Sequence, residues 1–184
     1  TGMHGTGNVY NNVIKIDNGG NNNGVKLYGI NHSASTAWNY FYNSVSIGGS
    51  ATGTSARSAA FIRTVNGAVV LKNNVLINTR TGTGSNYGIS NKVASPATNW
   101  SASDYNDLYS STGSTTAEWG NGGNNTFAQW QTNSGGGANS VNRSVSFVAS
   151  TYDLQPDPNS NCALDNSGTV ISTPLVINTD INAV

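Results

Sequence analysis

The segment VYNNVIKI at residues 9–16 returns three times along the chain, as YFYNSVSI at 40–47, LKNNVLIN at 71–78 and DYNDLYSS at 104–111. These segments share the asparagines Asn12, Asn43, Asn74 and Asn106, which follow one another at intervals of 31, 31 and 32 residues. A unit this short cannot bury an apolar face alone, so its recurrence indicates coils that stack on one another. The repeat predicts an all-β solenoid.

A second repeat lies between these segments: the pairs Gly29-Ile30, Ala60-Phe61 and Gly88-Ile89 are separated by 31 and 28 residues. Side chains alternate along a strand, so one column of the first repeat points inward and the next points outward. The predicted inward column is Ile14, Val45, Leu76 and Leu108, which forms the core together with Ile30, Phe61 and Ile89. The predicted outward column, Val13, Ser44, Val75 and Asp107, is mixed, as a partly exposed face should be.

The asparagine column has two interpretations. Asparagine tolerates the left-handed backbone conformation that a sharp bend requires, and stacked side-chain amides can hydrogen-bond from one coil to the next. This predicts a structural asparagine ladder at a bend. The alternative is a row of polar groups presented to a ligand.

Composition agrees with an all-β chain and excludes several function classes. Charged residues make up only 9% of the sequence, which disfavours helices, whereas 36% apolar residues in short β-branched runs disfavour disorder. A formal net charge of zero argues against a general nucleic-acid binder. The sequence contains no run of about 18 apolar residues, so no membrane-spanning helix is predicted. Cys162, the single cysteine, allows no internal disulfide and gives no metal-site spacing.

The repeat fades near residue 112, which divides the sequence into two parts of one domain. Residues 1–112 are predicted to form coils with a period of about 31 residues. Residues 113–184 are predicted to form a C-terminal coil and capping region, with a short helical turn near 127–131. The sequence shows no basic-then-apolar leader, so we expect a piece or processed form of something longer. We also expect neighbouring coils of a longer chain, or another copy packed end to end, at the open edge of the first coil.

Several stretches resemble a known family. The NN-V-I segments, the YGI tripeptides at 28–30 and 87–89, and TFAQWQTNSGGGANSV at 126–141 are similar to right-handed parallel β-helix repeat proteins of the pectate-lyase-like superfold. Within that superfold, they resemble surface and secreted proteins exported by the bacterial type IX secretion system. The two repeats predict about four coils plus a C-terminal closing region, and the resemblance implies that they form a right-handed parallel β-helix, located outside the cell or on its surface.

The same resemblance leaves two function classes open, because this superfold carries enzymes, adhesins and purely structural stalks. The first class is a noncatalytic scaffold or adhesin module that binds polysaccharide. The second is a polysaccharide lyase or glycoside hydrolase.

Candidate catalytic residues are sparse. The polygalacturonase-like motifs of the superfold have only partial counterparts, His4-Gly5 and residues 178–180, which occur in the wrong order. Asp104 and Asp107 are near in sequence, but their odd spacing places them on opposite faces of an extended strand. The two catalytic carboxylates of a glycoside hydrolase must instead face one another across the substrate. We therefore predict no catalytic residues, no metal site and no cofactor, and a scaffold is the favoured function.

Basic residues form the clearest surface pattern. The repeat register places Lys26 beside Arg57, and His32 beside Arg63 and the neighbourhood of Lys92. Adjacent coils are about 4.8 Å apart, so these side chains should form basic rows, with Tyr28 and Tyr87 nearby. Such rows predict a site for acidic polysaccharide; the alternative is that the cations only keep the strand surface soluble.

The four tryptophans are also open to two interpretations. They could be sugar platforms if exposed, but caps on the apolar core are favoured. They are Trp38, Trp100, Trp119 and Trp130.

Overall fold

The computed structural model describes residues 5–21, 24–112, 115–149, 153–157, 159–160, 167–174 and 176–177. His4, Cys162 and residues 178–180, which entered the sequence analysis, lie outside the described residues.

The described strands follow the predicted repeat through four coils, with about three turns from the first to the last. The first coil contains β1 (Gly7–Tyr10), β2 (Val13–Asn21) and β3 (Lys26–His32). The second contains β4 (Trp38–Phe41), β5 (Ser44–Ala51) and β6 (Arg57–Arg63). The third contains β7 (Val69–Lys72), β8 (Val75–Asn78), β9 (Thr81–Gly82) and β10 (Ser85–Asn91). The fourth contains β11 (Trp100–Asp104), β12 (Asp107–Ser110) and β13 (Ala117–Trp119).

Corresponding strands of successive coils pair in parallel and form three sheets. Sheet A has the order β1-β4-β7-β11, sheet B has β2-β5-β8-β12, and sheet C has β3-β6-β10-β13. Strand β9 extends sheet B beside β5, and β14 (Asn124–Asn125) adds an antiparallel strand to β13. The chain is therefore a parallel β-solenoid, as the repeat predicts. The predicted division at residue 112 stays a prediction.

The bend between sheets A and B depends on the residue that precedes each ladder asparagine. Asn11, Tyr42, Asn73 and Tyr105 have φ between 53° and 59°, the left-handed region. The prediction that the ladder asparagines themselves take this conformation is therefore wrong. The bend needs one left-handed residue, and the asparagine that follows it is left to form hydrogen bonds.

The asparagine ladder runs through all four coils. The Oδ1 atom of Asn43 accepts from the backbone N and the Nδ2 of Asn12, at 3.2 and 2.8 Å. Asn74 accepts from Asn43 in the same way, at 3.0 and 2.9 Å, and Asn106 accepts from Asn74 at the same two distances. The Oγ of Ser140 takes the next position and accepts from the backbone N of Asn106 at 3.0 Å. The predicted ladder is confirmed, and Asn43, Asn74 and Asn106 are buried.

The core lies between the three sheets. The inward column has the predicted register, and Val45, Leu76 and Leu108 are completely buried. Ile14 is only partly buried, contrary to the prediction, because the first coil has a described neighbour on one side alone. The second predicted column, Ile30, Phe61 and Ile89, is buried in the same cluster.

The fourth coil is closed by α1 (Phe127–Ser134), a longer element than the predicted turn. Thr126 caps its start in a reciprocal arrangement with Gln129, and Gly135, with φ of 64°, ends it. Trp130 of α1 is completely buried against the core. Among the described residues, no helix has the length and apolar character needed to cross a membrane.

A C-terminal hairpin covers the outer face of sheet B. It consists of β15 (Phe147–Ala149) and β16 (Asp153–Pro156), paired antiparallel. A cavity of about 230 Å³ lies between the hairpin and the sheet, and Ile77, Phe147 and Leu154 line part of it. This cover explains why Ile77, on the outward side of β8, is 1% exposed.

The core packing predicts the cost of a cavity. Leu76→Ala should lower the free energy of unfolding by about 2–5 kcal/mol, since the side chain is enclosed by neighbouring coils. Chemical denaturation measures the change. The matched control is Val170→Ala, at a side chain that is 85% exposed, for which we expect a change within about 0.5 kcal/mol. Equal stability of Leu76→Ala and the unmodified chain would contradict the register.

Candidate functional site

The outer face of sheet C brings together part of the predicted binding set. Strand register places Lys26 beside Arg57, and Tyr28 beside Ala59, which in turn lies beside Tyr87. Ala59, Ile62 and Tyr87 form a small buried apolar cluster on this face, with Tyr28 packed against it. The predicted register of the basic rows is therefore confirmed here.

Arg57 links three coils on this face. Its guanidinium lies 4.9 Å from the ring centroid of Tyr87, and its Nη2 donates to Ser90 Oγ at 3.3 Å. The same Nη2 forms an ion pair with Glu118, whose Oε2 also accepts from Ser90 Oγ. We call Arg57, Tyr87, Ser90 and Glu118 the Arg57 cluster. It joins residues of the second, third and fourth coils.

Glu118 is the buried anion of the Arg57 cluster. Its side chain is fully buried, and its Oε1 accepts from the backbone N of Gly122 at 3.0 Å. The carboxylate therefore neutralises Arg57 and also fixes the turn that precedes β14. Tyr87 contacts the same region, because its hydroxyl donates to Asn124 Oδ1 at 2.5 Å. These contacts give Arg57 and Tyr87 a structural role; their predicted part in glycan binding stays a prediction.

Lys26 and Tyr28 remain accessible on the first coil. Lys26 is exposed and Tyr28 is partly exposed. Burial raises the pKa of the Tyr28 hydroxyl. The charge of Arg57 lowers this pKa and the charge of Glu118 raises it. A cation and an aromatic ring next to each other on a solvent-facing strand are suited to contact a sugar.

His32 and Arg63 pair in register as predicted, but they are 1% and 0% exposed, so they do not present a charged surface. The His32 Nδ1 lies 2.9 Å from the hydroxyl of Tyr40. Burial, assisted by the charge of Arg63, lowers the pKa of His32 to about 4. The prediction of a second exposed basic row is therefore wrong. His32 and Arg63 form an interior pair, because their side chains are turned inward at the corner of the coil.

Arg63 acts as a support for two loops. Its Nε donates to the Gly67 carbonyl at 3.0 Å, and its Nη2 donates to the Thr98 carbonyl at 2.5 Å. Its Nη1 donates to Asn91 Oδ1 at 3.2 Å and to the Pro96 carbonyl at 3.1 Å. Every nitrogen of the guanidinium is used. Lys92 follows the end of the neighbouring strand β10 and is partly buried. Its binding role stays a prediction.

The tryptophans pack on the core, as favoured by the sequence. Trp130 is buried in the core cluster, and Trp38, Trp100 and Trp119 pack against it. Trp100 and Trp119 meet edge to face, with ring centroids 5.3 Å apart. Their aromatic surface is used to close the corners of the solenoid.

Two carboxylates of the fourth coil hold the closing region. The carboxylate of Asp104 accepts from the backbone N and the Nδ2 of Asn139, both at 2.8 Å. Asp107 is buried, and its Oδ1 accepts from the backbone N of Arg143 at 2.9 Å. The expectation that Asp107 belongs to a partly exposed column is wrong, because the segment around Val141 pairs beside β12 and covers it. No group of three metal-ligating side chains occurs in the described part of the chain.

Glu118 was missed by the sequence analysis, although a signal was present. The interval of 28 residues between Phe61 and Ile89 repeats once more and ends at Ala117, the partner of Ile89 in β13. Extending that repeat would have placed Glu118 beside Ser90. No comparable signal marks Arg80, whose fully buried side chain comes from a turn between β8 and β9.

The buried Asp107 predicts a pH-dependent stability difference. Burial raises its pKa from 3.8 to about 7, while the backbone N–H and the charge of Arg143 act in the opposite direction. Between these values the folded chain holds a proton that the unfolded chain has lost, so this contribution to stability falls as pH rises. Asp107→Asn keeps the acceptor for Arg143 and removes the titration.

We therefore expect the stability gain of Asp107→Asn over the unmodified chain to grow from pH 4 to pH 8. Its upper bound is about 4 kcal/mol, the free energy equivalent of this pKa change. Denaturant unfolding at each pH measures the gain. The titration of His32 is common to both chains and cancels in the difference. A gain that is constant with pH would contradict the assignment.

Comparison with known proteins assigns the chain to no family. Neither a protein-family model, nor a curated protein, nor a solved structure matches it. The parallel solenoid and its buried asparagine ladder are established by the contacts described above.

Proposed function

We propose that this chain is a noncatalytic scaffold module of a secreted or cell-surface bacterial β-helix, and that it binds acidic polysaccharide at Lys26 and Tyr28. The proposal combines the resemblance to exported right-handed β-helix proteins with the accessible cation and ring on β3. The exposed Lys26 beside the partly exposed Tyr28 is the observation that carries the binding site.

The arrangement of β3 supports the binding of a sugar chain. Tyr28 lies beside the small Ala59, so its neighbour in the next coil does not stand above the ring. The charge of Arg57 is already neutralised by Glu118, which leaves Lys26 to attract a carboxylate or sulfate group. A sugar ring stacked on Tyr28 would place its acidic group within reach of Lys26.

The use of the carboxylates supports a scaffold. Asp104, Asp107 and Glu118 each accept hydrogen bonds that fix a turn or the closing region. Asp157 accepts from the backbone N of Asn159 and the hydroxyl of Ser160. These four acidic side chains are therefore engaged in hydrogen bonds within the fold.

The first coil supports the partner part of the proposal. Strands β1, β2 and β3 are the edges of their sheets, and Tyr10 and Val13 on this coil are 44% and 36% exposed. Unpaired edges and exposed apolar side chains favour packing against further strands. Neighbouring coils, or another copy of the chain, are the partners that fit this edge.

Glycan binding tests the proposed site. We expect the chain to bind an oligomer of uronic acids in a glycan array and in titration calorimetry. Replacing both Lys26 and Tyr28 by Ser should weaken binding about tenfold, the effect of losing about 1.4 kcal/mol of contact energy. The matched control replaces Lys15 and Tyr10 by Ser, which removes the same two residue types from exposed positions elsewhere on the first coil.

We expect the control variant to bind like the unmodified chain. Equal loss in both variants, or no binding to any glycan, would contradict the site. The same samples are followed for absorbance of unsaturated sugar products. Their appearance would contradict a noncatalytic scaffold and favour a polysaccharide lyase.

A further inference from the structure

Arg80 is a buried cation held across the coils. Its side chain is fully buried although it begins in a turn of the third coil. Its Nη1 donates to the carbonyl of Arg57 in the second coil, at 3.3 Å, and to that of Val25 before β3 in the first coil, at 3.1 Å. Its backbone N donates to Asn78 Oδ1 at 3.1 Å. Two carbonyls on one nitrogen fix the position of the guanidinium.

The other edge of this guanidinium consists of Nε and Nη2. Nε and Nη2 are both buried, and neither has a hydrogen-bond partner among the described residues. These two nitrogens form one side of the planar group, the side that grips a carboxylate with two parallel hydrogen bonds in arginine pairs. Arg80 thus offers a complete two-pronged donor that points into the protein.

Arg63 shows how this fold satisfies a guanidinium in a comparable position. It is also fully buried, yet its three nitrogens donate to four acceptors. Arg57 is neutralised by Glu118, the one ion pair found in the described ranges. Arg80 has neither solution: two of its nitrogens are unused and it has no carboxylate beside it in those ranges.

The physical requirement is for acceptors beside the two unused nitrogens. A buried cation is unfavourable unless acceptors satisfy its N–H groups, as they do for Arg63, or an opposite charge pairs with it, as Glu118 does with Arg57. An anion would meet both needs at once. Burial lowers the pKa of Arg80, which shows the direction of this penalty. Water would satisfy the two N–H groups and leave the charge unbalanced.

The burial of the two unused nitrogens limits the size of a partner. Nε and Nη2 of Arg80 are both shielded from solvent, so a partner must be enclosed by the protein. The coils also pack closely after Arg80, since a Cβ at Gly82 would lie 2.0 Å from the Ala51 carbonyl oxygen. A small ion fits this requirement and a polymer does not.

We propose that the Nε and Nη2 edge of Arg80 binds a small monovalent anion, of the size of chloride or formate, as a structural counter-ion of the solenoid. The site differs from the glycan site on β3, because Arg80 contacts the backbone carbonyls of Val25 and Arg57 and uses neither Lys26 nor Tyr28. It joins the first three coils through one charge, because Arg80 already contacts the carbonyls of the first two.

Anion-dependent stability tests this site. Thermal and denaturant unfolding are measured at constant ionic strength while sodium chloride, or sodium formate, replaces sodium gluconate, whose anion is too large to enter. Above the dissociation constant, the folding equilibrium constant should rise about tenfold for each tenfold increase in the concentration of free anion. The chloride and formate arms show whether the site prefers a halide or a carboxylate.

Arg80→Met should abolish this dependence, while Arg143→Met, which removes an exposed arginine, should keep it. If Arg80→Met does not fold, crystals of the unmodified chain soaked in sodium bromide provide the second measurement. An anomalous scattering peak beside Nε and Nη2 of Arg80 is the expected result. The proposal is overturned if neither anion stabilises the chain more than gluconate does, if Arg80→Met keeps the dependence, or if the bromide peak is absent.

Discussion

The solenoid depends on a single repeated hydrogen-bond pattern, in which a side-chain amide takes the place of a backbone partner at a bend. Where the chain turns from sheet A to sheet B, backbone pairing stops, and an unpaired N–H in the interior would be costly. Each ladder oxygen accepts both the backbone N–H and the Nδ2 of the coil before it. The ladder therefore carries inter-coil pairing through the corner and fixes the register of the sheets on both sides.

The ladder also explains why the sequence predicts this fold so directly. One stacked unit produces three features that recur together. They are an asparagine at the bend, an inward apolar residue two positions later and a nearly constant interval. Their joint recurrence identifies the unit. Leu76 and Phe61 are buried as the repeat predicts. Ile14 follows the same pattern and is only partly buried. The repeat could not predict this, because a position in the repeat does not show whether a further coil lies beside it.

The surface of the solenoid was harder to predict than its core. Register alone placed His32 beside Arg63 correctly, but it could not show that a corner turns both side chains inward, where loops supply the acceptors. The Arg57 cluster includes Glu118, which lies one further 28-residue step along the second repeat, beyond the three positions used for the prediction. Arg80 lies in a turn whose conformation is set by the coils around it, so its burial is a property of the assembled structure.

Charge is used sparingly in this protein, and Arg63, Arg80, Asp107 and Glu118 are buried. The side chains of three arginines each form hydrogen bonds to residues of another coil or loop. These are Arg57, Arg63 and Arg80. Acidic side chains are used in the same way, since Asp104 and Glu118 hold the closing region and the turn before β14. Lys26 and Tyr28 stay accessible on the first coil, and the proposed glycan site depends on this pair.

Hydrogen exchange of side-chain amides tests the ladder most directly. Both Nδ2 protons of Asn43 are bonded, to the Val9 carbonyl and to Asn74 Oδ1, and Asn74 and Asn106 are bound to a similar extent. NMR should show that these amides exchange only when the whole solenoid unfolds, whereas that of the exposed Asn99 exchanges much faster. Exchange of Asn43, Asn74 and Asn106 at the rate of Asn99 would contradict the stacked ladder.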